Sequence, residues 1–194
     1  MEYSLFDDMV QCTEAEVRRL LSLVSEQRRE QALRYTHTLG RYTCLKSYSL
    51  LVELLRQHGL LRENELPDFE YNEYGKPYIE GGVEFSISHC KQGILVAIDQ
   101  YPIGVDIEGV RPVNKALIRR TMNETERAYI DAAECPDIAF THLWTRKEAV
   151  VKQRGTGIIS DLHEILNVPL LPHLQTIKRE TYIYTIATQK EVVS

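Results

Sequence analysis

The sequence predicts an α+β protein built from two successive sets of helices and short strands. Apolar residues recur at helical spacing through residues 13–58. Between residues 83 and 108, apolar and polar residues alternate in the manner of half-buried strands. The same order, helices and then strands, recurs from residue 114 to residue 188. We therefore expect two similar α+β halves that form a pseudo-dimer within one chain, 1–102 and 103–194, each with a small, mainly antiparallel sheet packed by helices.

The N-terminal third of the chain predicts three helices. The first begins with a capping box, in which Thr13 is the N-cap and Glu16 reaches back to it. The second is predicted over 26–35 and the third over 39–58. Gly59 stands where a helix-terminating glycine is expected, so the third helix should end just before it.

Turn signals then separate three predicted strands. Pro67, the segment 72–77 and Gly81-Gly82 are rich in turn-forming residues. The strands are predicted at 83–88, 94–99 and 103–108. Because they follow one another closely along the chain, we expect them to form an antiparallel meander.

The second set of elements repeats this order. Helices are predicted to start near Asn114 and near Asn123. A longer helix is predicted from Asp137, as N-cap, to Arg154, with Gly155 ending it. Two final strands are predicted at 174–178 and 182–188, joined by a turn at 179–180.

The composition is that of an ordinary globular protein, with 43% hydrophobic and 26% charged residues. The formal net charge of −5 disfavours non-specific binding of nucleic acid. No apolar run approaches the roughly 20 residues of a membrane helix, and the acidic start of the chain is unlike the basic start of a signal peptide. We therefore expect a cytoplasmic protein that binds neither a membrane nor nucleic acid.

Cysteines and basic pairs give no clear site of their own. Four cysteines lie too far apart in sequence for a zinc motif and are predicted to be reduced thiols: Cys12, Cys44, Cys90 and Cys135. The basic pairs, Arg28-Arg29 and Arg146-Lys147 among them, are interpreted as solvated helix faces. A basic pocket for a phosphate-rich small molecule remains an alternative.

Asp106-Ile107-Glu108 is the first candidate site. Residues i and i+2 of a strand project to one face, so Asp106 and Glu108 lie together opposite the apolar side chains. Adjacent carboxylates repel each other unless water, a proton or a cation separates their charges. A hard cation such as Mg²⁺ prefers such oxygen ligands. A solvated strand face is the alternative.

Three further segments carry residue types suited to phosphate chemistry. Trp144, Glu148 and Lys152 share one helix face at i, i+4 and i+8, although a core tryptophan beside a solvated ion pair has the same spacing. His89 ends a predicted strand, where it can serve phosphate or structure. Lys76 lies in a turn and gains a role only if a phosphate is near.

Taken in order, these segments resemble the successive motifs of the Sfp-type 4′-phosphopantetheinyl transferases. The resemblance spans residues 25–160. It rests on four motifs: Gly75-Lys76-Pro77, Phe85-Ser86-Ile87-Ser88-His89, Ile103-Gly104-Val105-Asp106-Ile107-Glu108 and Leu143-Trp144-Thr145-Arg146-Lys147-Glu148-Ala149-Val150-Val151-Lys152.

The resemblance implies a transferase that moves the phosphopantetheine arm of coenzyme A to a serine of an apo acyl or peptidyl carrier protein, releasing adenosine 3′,5′-bisphosphate. It implies two α+β halves with coenzyme A at their junction. It also implies that Asp106, Glu108 and Glu148 hold Mg²⁺. The sequence leaves Mn²⁺ open as an alternative, since both ions accept oxygen ligands. Because one chain contains both halves, we expect a monomer.

The resemblance further implies that Lys76, Ser88, His89 and Lys152 contact the coenzyme phosphates. Two acids match candidates for the base that takes the serine proton, Glu148 and Glu126, and the sequence leaves both open.

The contact to the 3′-phosphate is less complete. Arg28 fits one basic position, but Gln31 stands where a second lysine is expected, and Arg41 or Lys46 can compensate for it.

Two alternatives from other classes stay open. A divalent-metal phosphohydrolase would use the same carboxylates with water as nucleophile and release free phosphate or a cleaved nucleotide. A catalytically inactive module would bind coenzyme A without turnover. Both differ from a transferase in the product formed.

Overall fold

The computed structural model describes residues 1–157 and 161–189, and the fold in this part of the chain is α+β. The elements in chain order are β1 (Glu2–Phe6), α1 (Glu14–Leu21), α2 (Glu26–Leu33), α3 (Thr38–Gln57), β2 (Glu70–Tyr71), β3 (Pro77–Tyr78), β4 (Glu84–His89), β5 (Ile94–Asp99), β6 (Gly104–Gly109), α4 (Lys115–Thr121), α5 (Glu124–Ala132), α6 (Pro136–Arg154), β7 (His173–Lys178) and β8 (Tyr182–Thr188). All strand pairs are antiparallel.

The first sheet has the order β1-β5-β4, and α3 packs against it. Strand β1 was not predicted, because five residues beside acidic side chains give only a weak pattern. It pairs with β5 with Tyr3 opposite Ala97. Helix α3 contributes much of the core, with Tyr42, Leu45 and Leu51 fully or almost fully buried.

The N-terminal helices follow the prediction with small differences. Thr13 accepts a hydrogen bond from the Glu16 backbone N–H at 3.2 Å. The reciprocal half of the predicted capping box is absent because the Glu16 carboxylate pairs with Arg19 at 2.7 Å. Gly59 has a φ of 68°, the left-handed conformation that a glycine permits, directly after the end of α3.

The second sheet has the order β6-β8-β7. The predicted meander is therefore confirmed for β4 and β5, which pair antiparallel, and wrong for β6. Strand β6 does not extend the first sheet because β5 already lies between β1 and β4 and has no free edge. Instead, β6 pairs with β8, with Asp106 opposite Thr185. The strand pair predicted near the C-terminus is confirmed as β7 and β8.

Side chains of β4 connect the two sheets. The Ser86 hydroxyl accepts a hydrogen bond from the Val105 N–H at 3.0 Å, and the Ser88 hydroxyl accepts one from the Ile107 N–H at 3.3 Å. These two N–H groups of β6 therefore donate to serine hydroxyls of β4. In a continuous sheet they would donate to backbone carbonyls. This junction is buried, since Ser86 and Ser88 are 5% and 7% exposed.

Helix α6 crosses directly over β6. A Cβ atom at Gly104 would overlap the Ala149 carbonyl and the Gln153 backbone nitrogen, so only glycine permits this approach. The helix begins at Pro136, and Asp137 is not its N-cap, because the Asp137 carboxylate accepts from the Val113 N–H at 2.9 Å. The predicted end at Gly155 is confirmed.

Helices α4 and α5 begin after Asn114 and Asn123, and these predicted starts are confirmed. The Asn123 side chain and the Glu126 carboxylate form a complete capping box. None of the helices within 1–157 and 161–189 has the length and apolarity that a bilayer crossing requires. All four cysteines are free thiols.

Candidate active site

The site forms where α6 lies across the polar face of β6. Asp106 is 3% exposed, while Glu108 and Glu148 are half-buried. On the opposite face of β6, Val105 and Ile107 enter the core, as the alternation predicts. The short distance between helix and strand brings Glu148 towards the two strand carboxylates.

The three carboxylates act on one another through their charges. Burial, and after it the charge of Asp106, raises the pKa of Glu148, and Glu108 adds to this effect. Burial and then Asp106 also raise the pKa of Glu108. Lys152 opposes the rise at both residues. The three carboxylates repel one another in partly desolvated surroundings, so the site has more negative than positive charge.

Lys152 supplies the positive charge that is present. Its Nζ lies 2.7 Å from Asp106 Oδ1 and 2.9 Å from Ser88 Oγ. The Ser88 hydroxyl also lies 2.9 Å from the same Asp106 oxygen and donates to it. The carboxylate partner of Lys152 is thus Asp106 on β6, and the alternative of a solvated Glu148–Lys152 pair is wrong.

The carboxylates suit a hard divalent cation by their chemistry. Asp106 Oδ2 is buried and has no hydrogen-bond partner, which is an unfavourable state for a carboxylate oxygen. A cation would satisfy this oxygen and reduce the repulsion with Glu108 and Glu148. Within the described ranges, no three acidic, histidine or cysteine side chains are already arranged as a metal site, and Lys152 holds the other Asp106 oxygen.

A cavity of about 260 Å³ adjoins the cluster. Its lining combines Glu148 and Lys152 of α6 with Ser86 of β4 and Lys76 of the β2–β3 turn. Lys76 Nζ pairs with Glu84 at 3.1 Å. The Asn72 side-chain amide donates to the Gly155 carbonyl at 2.8 Å, which ties the turn to the end of α6.

His89 ends β4 near the same cluster. Desolvation of the imidazole by surrounding protein atoms lowers the pKa of His89, and the charge of Lys152 lowers it further. The residue as a whole is nevertheless exposed to solvent. The imidazole is therefore mostly neutral at pH 7 in the absence of an anion.

A second cavity, of about 870 Å³, lies elsewhere around Glu2, His58 and His173, and no residue of the predicted site lines it.

Glu126 belongs to a different cluster. Its Oε2 lies 2.7 Å from Lys147 Nζ and accepts the Asn123 backbone N–H at 2.8 Å. Lys147 Nζ also donates to the carbonyls of Thr121 and Leu162. Lys147 is 0% exposed, so its prediction as part of a solvated face is wrong. The Asn123-x-x-Glu126 spacing was the available signal for this role of Glu126, and sequence reasoning missed it.

The predicted 3′-phosphate residues lie on the N-terminal helices. Arg28 is buried, with its guanidinium carbon 4.4 Å from the Phe69 ring centroid, so a solvated position is wrong for it as well. Arg41 donates to the Tyr35 carbonyl at 2.9 Å. Lys46 Nζ lies 4.3 Å from the Phe6 ring centroid. The structure therefore joins none of these three cations to the Asp106 cluster in the residues it describes.

Comparison with known families gives the class of protein. Residues 102–191 match the model of the 4′-phosphopantetheinyl transferase superfamily. The chain belongs to this family, and the resemblance predicted from the motifs is confirmed.

Individual relatives agree with this class. The chain is 31% identical to the 4′-phosphopantetheinyl transferase Sfp of Bacillus subtilis (strain 168), over 75% of this chain and 66% of that protein. It is 31% identical to the 4′-phosphopantetheinyl transferase gsp of Aneurinibacillus migulanus, over 72% of this chain and 59% of the relative. It is 40% identical to the 4′-phosphopantetheinyl transferase AcpT of Salmonella typhimurium, over 46% of this chain and 50% of the relative. The chain thus spans less than two thirds of the length of these relatives.

Proposed function

We propose that the chain is a 4′-phosphopantetheinyl transferase that modifies a serine of an apo acyl or peptidyl carrier protein. Coenzyme A is the donor, and adenosine 3′,5′-bisphosphate is the second product. The observation that carries the proposal is the convergence of Asp106, Glu108, Glu148 and Lys152 beside one cavity, in a chain of this family.

Asp106, Glu108 and Glu148 would hold Mg²⁺, with Mn²⁺ as an acceptable substitute. When bound, the cation neutralises charge on the coenzyme diphosphate. The unpartnered Asp106 Oδ2 and the repulsion between the three carboxylates support this assignment.

The cationic and hydroxyl side chains would bind and orient the phosphates. Lys152, Ser88 and Lys76 lie at or beside the cavity, and His89 is close enough for Lys152 to lower its pKa. In the transfer, the serine oxygen forms a bond to the β-phosphorus while the bond to the bisphosphate oxygen breaks. Positioning and charge stabilisation dominate such reactions, which is what these residues can supply.

Glu148 is the better candidate for the base. It lines the cavity beside Lys152, and a carboxylate oxygen that the cation leaves free could take the serine proton. Glu126 is the alternative, but its carboxylate is engaged by Lys147 and by the N-terminus of α5.

Coenzyme A would lie at the junction of two α+β halves, 1–102 and 103–194, in a monomeric cytoplasmic protein that binds neither a membrane nor nucleic acid. Two three-stranded antiparallel sheets that adjoin through β4 and β6 support this arrangement.

The test is transfer in vitro. The protein is incubated with coenzyme A, Mg²⁺ and apo carrier proteins, and the carriers are weighed by mass spectrometry. We expect a mass increase of one phosphopantetheine group that is lost with excess chelator and in Asp106→Asn. The matched control is Asp99→Asn, which alters a strand aspartate that accepts the Tyr101 N–H and lies 3.7 Å from the Met1 nitrogen.

The alternatives give different results. Free phosphate or a cleaved nucleotide with unmodified carriers would indicate a phosphohydrolase. Binding of coenzyme A without any product would indicate an inactive module. Full activity with chelator, at verified zero metal content, would contradict the role of the carboxylates.

A further inference from the structure

The pair formed by Lys152 and Asp106 has a marked asymmetry. The Asp106 side chain is 5% exposed, whereas that of Lys152 is 30% exposed. Asp106 sits on a strand between α6 and the core and cannot leave. Lys152 reaches the carboxylate from α6 by a flexible four-carbon stem, so its ammonium can move towards solvent without a change in the backbone.

The ammonium lies next to the position that another cation would take on Asp106. It is bound to Asp106 Oδ1 at 2.7 Å, and the second Asp106 oxygen has no partner. A divalent ion held by Asp106 would lie within a few ångströms of Lys152 Nζ, where like charges repel strongly in partly buried surroundings. An ammonium on Oδ1 therefore opposes the binding of a divalent ion on Oδ2, and the two cations compete for Asp106.

We propose that Lys152 is a placeholder cation, which neutralises Asp106 in the ligand-free protein and leaves that carboxylate when a divalent ion binds there. The released ammonium then pairs with a phosphate in the adjoining cavity, whose lining includes Lys152. This inference rests on the proposed function, since it takes Asp106 as a metal ligand.

Ser88 gives the exchange a second fixed partner. Its hydroxyl lies 2.9 Å from Lys152 Nζ and 2.9 Å from Asp106 Oδ1, and it also accepts the Ile107 N–H. Ser88 is held by β4 and stays in place when the lysine moves. If a ligand phosphate lies near Ser88, the Lys152 ammonium would move by only about one hydrogen-bond length to pair with it.

The exchange makes the cation and phosphate sites interdependent. Without a phosphate, a divalent ion must displace an ammonium that gains no new partner, so binding is weak. With a phosphate, the displaced ammonium is paired again, so each ligand favours the other.

The first test measures Mn²⁺ binding without coenzyme A, from the electron paramagnetic resonance signal of the free ion. We expect Lys152→Met to bind Mn²⁺ at least about tenfold more tightly than the unmodified protein, because a direct competitor is removed. The matched control is Arg111→Met, which removes an exposed charge that acts on Glu108 and should change the affinity less than about threefold. Lys152→Gln replaces the methionine variant if the latter does not fold.

The inference would be overturned by any of three results. Lys152→Met could bind Mn²⁺ with the same affinity as the unmodified protein, Lys152→Met and Arg111→Met could gain equally in Mn²⁺ affinity, or none of the proteins could bind Mn²⁺.

The second test uses the unmodified chain and a lysine-acylating reagent, with labelling measured by mass spectrometry. Lys152 should react slowly without ligands, faster with Mn²⁺ alone, and slowly again with Mn²⁺ and coenzyme A. Buried Lys147 should stay unreactive, and exposed Lys115 should react at a constant rate. An unchanged rate at Lys152 on addition of Mn²⁺ would overturn the inference.

The carrier assay separates this inference from the proposed function. Carrier modification without these changes at Lys152 removes only the placeholder role. The changes at Lys152 without carrier modification remove only the transferase.

Discussion

Glu148 has a carboxyl group in surroundings that disfavour its charged form. Burial and the charge of Asp106 raise its pKa above the ordinary value of 4.5. A raised carboxyl pKa means that the folded state holds the proton more tightly than the unfolded state. The group's contribution to stability is therefore present below pH 4.5 and is lost as the pH rises through the folded pKa.

We therefore expect Glu148→Gln to raise the unfolding temperature of the metal-free protein at pH 7 and to have little effect at pH 4. Thermal unfolding at the two pH values measures the difference. Glu30→Gln, an exposed glutamate of α2, is the control and should show no such dependence. An equal effect of Glu148→Gln at both pH values would contradict this account.

Lys147 illustrates a different use of charge, since its ammonium is enclosed by oxygens of Glu126, Thr121 and Leu162. We expect Lys147→Met to lower the free energy of unfolding by about 3 to 5 kcal/mol, because it leaves the Glu126 carboxylate buried without its partner. Urea unfolding gives this value. Combining it with Glu126→Gln should recover part of the loss.

An exposed pair provides the comparison. Arg19→Met breaks the surface pair with Glu16 and should reduce stability by less than about 1 kcal/mol. A similar small loss for Lys147→Met would show that Lys147 and Glu126 do not depend on each other.

Individual residues differ in how far the sequence could predict their roles. Strand alternation was enough to place Asp106 and Glu108 on one face, because that periodicity is local. It could not reveal that Lys147 and Arg28 are buried, because their partners lie on other elements: Glu126 on α5, and Phe69 just before β2. A basic residue in a helix has the same local pattern whether its partner is water, a carboxylate or an aromatic ring.

At the scale of elements, the site depends on the short distance between α6 and β6. Gly104→Ala would place a Cβ atom within 2.8 Å of Gln153 Cα and closer still to two backbone atoms of α6. Because backbone cannot rotate away, we expect the helix to shift, with a loss of stability of about 1 to 3 kcal/mol or more. Transfer activity should fall further, since Glu148 and Lys152 move with α6. Urea unfolding and the carrier assay measure the two effects.

The control is Gly109→Ala on the same strand. The three atoms nearest to a Cβ atom there all belong to the end of the Gln92 side chain, which can turn aside. Its stability and activity should change little. Equal effects of the two substitutions would argue against close packing of α6 as the constraint.

The elements themselves were largely predictable, whereas their pairing was not. The starts of α4 and α5, the end of α3 and the final hairpin follow from local capping and turn residues. The meander failed at β6 because strand pairing depends on which edges are free. The unpredicted β1 occupies the edge of β5 that β6 would have needed.

At the scale of the whole molecule, two sheets meet through hydroxyl groups. We expect Ser86→Ala to lower the free energy of unfolding by about 1 to 3 kcal/mol, because the buried Val105 N–H loses its acceptor. Hydrogen exchange at the Val105 amide should become faster.

Ser49→Ala is the control, since its hydroxyl donates only to the Leu45 carbonyl within α3. A loss of stability equal to that of Ser49→Ala, with unchanged exchange at Val105, would show that Ser86 does not hold the sheets together.

The pairing of β6 with β8 has a consequence for the synthesis of the protein. The acids of β6 leave the ribosome long before β8 (Tyr182–Thr188), the strand that completes their backbone ladder. All the residues proposed for the site precede β8 in the chain. Strand β6, which carries Asp106 and Glu108, nevertheless lacks its partner strand until β8 has been synthesised. A ribosome-bound chain that stops before Tyr182 would therefore contain each of those side chains and still lack the backbone ladder of β6.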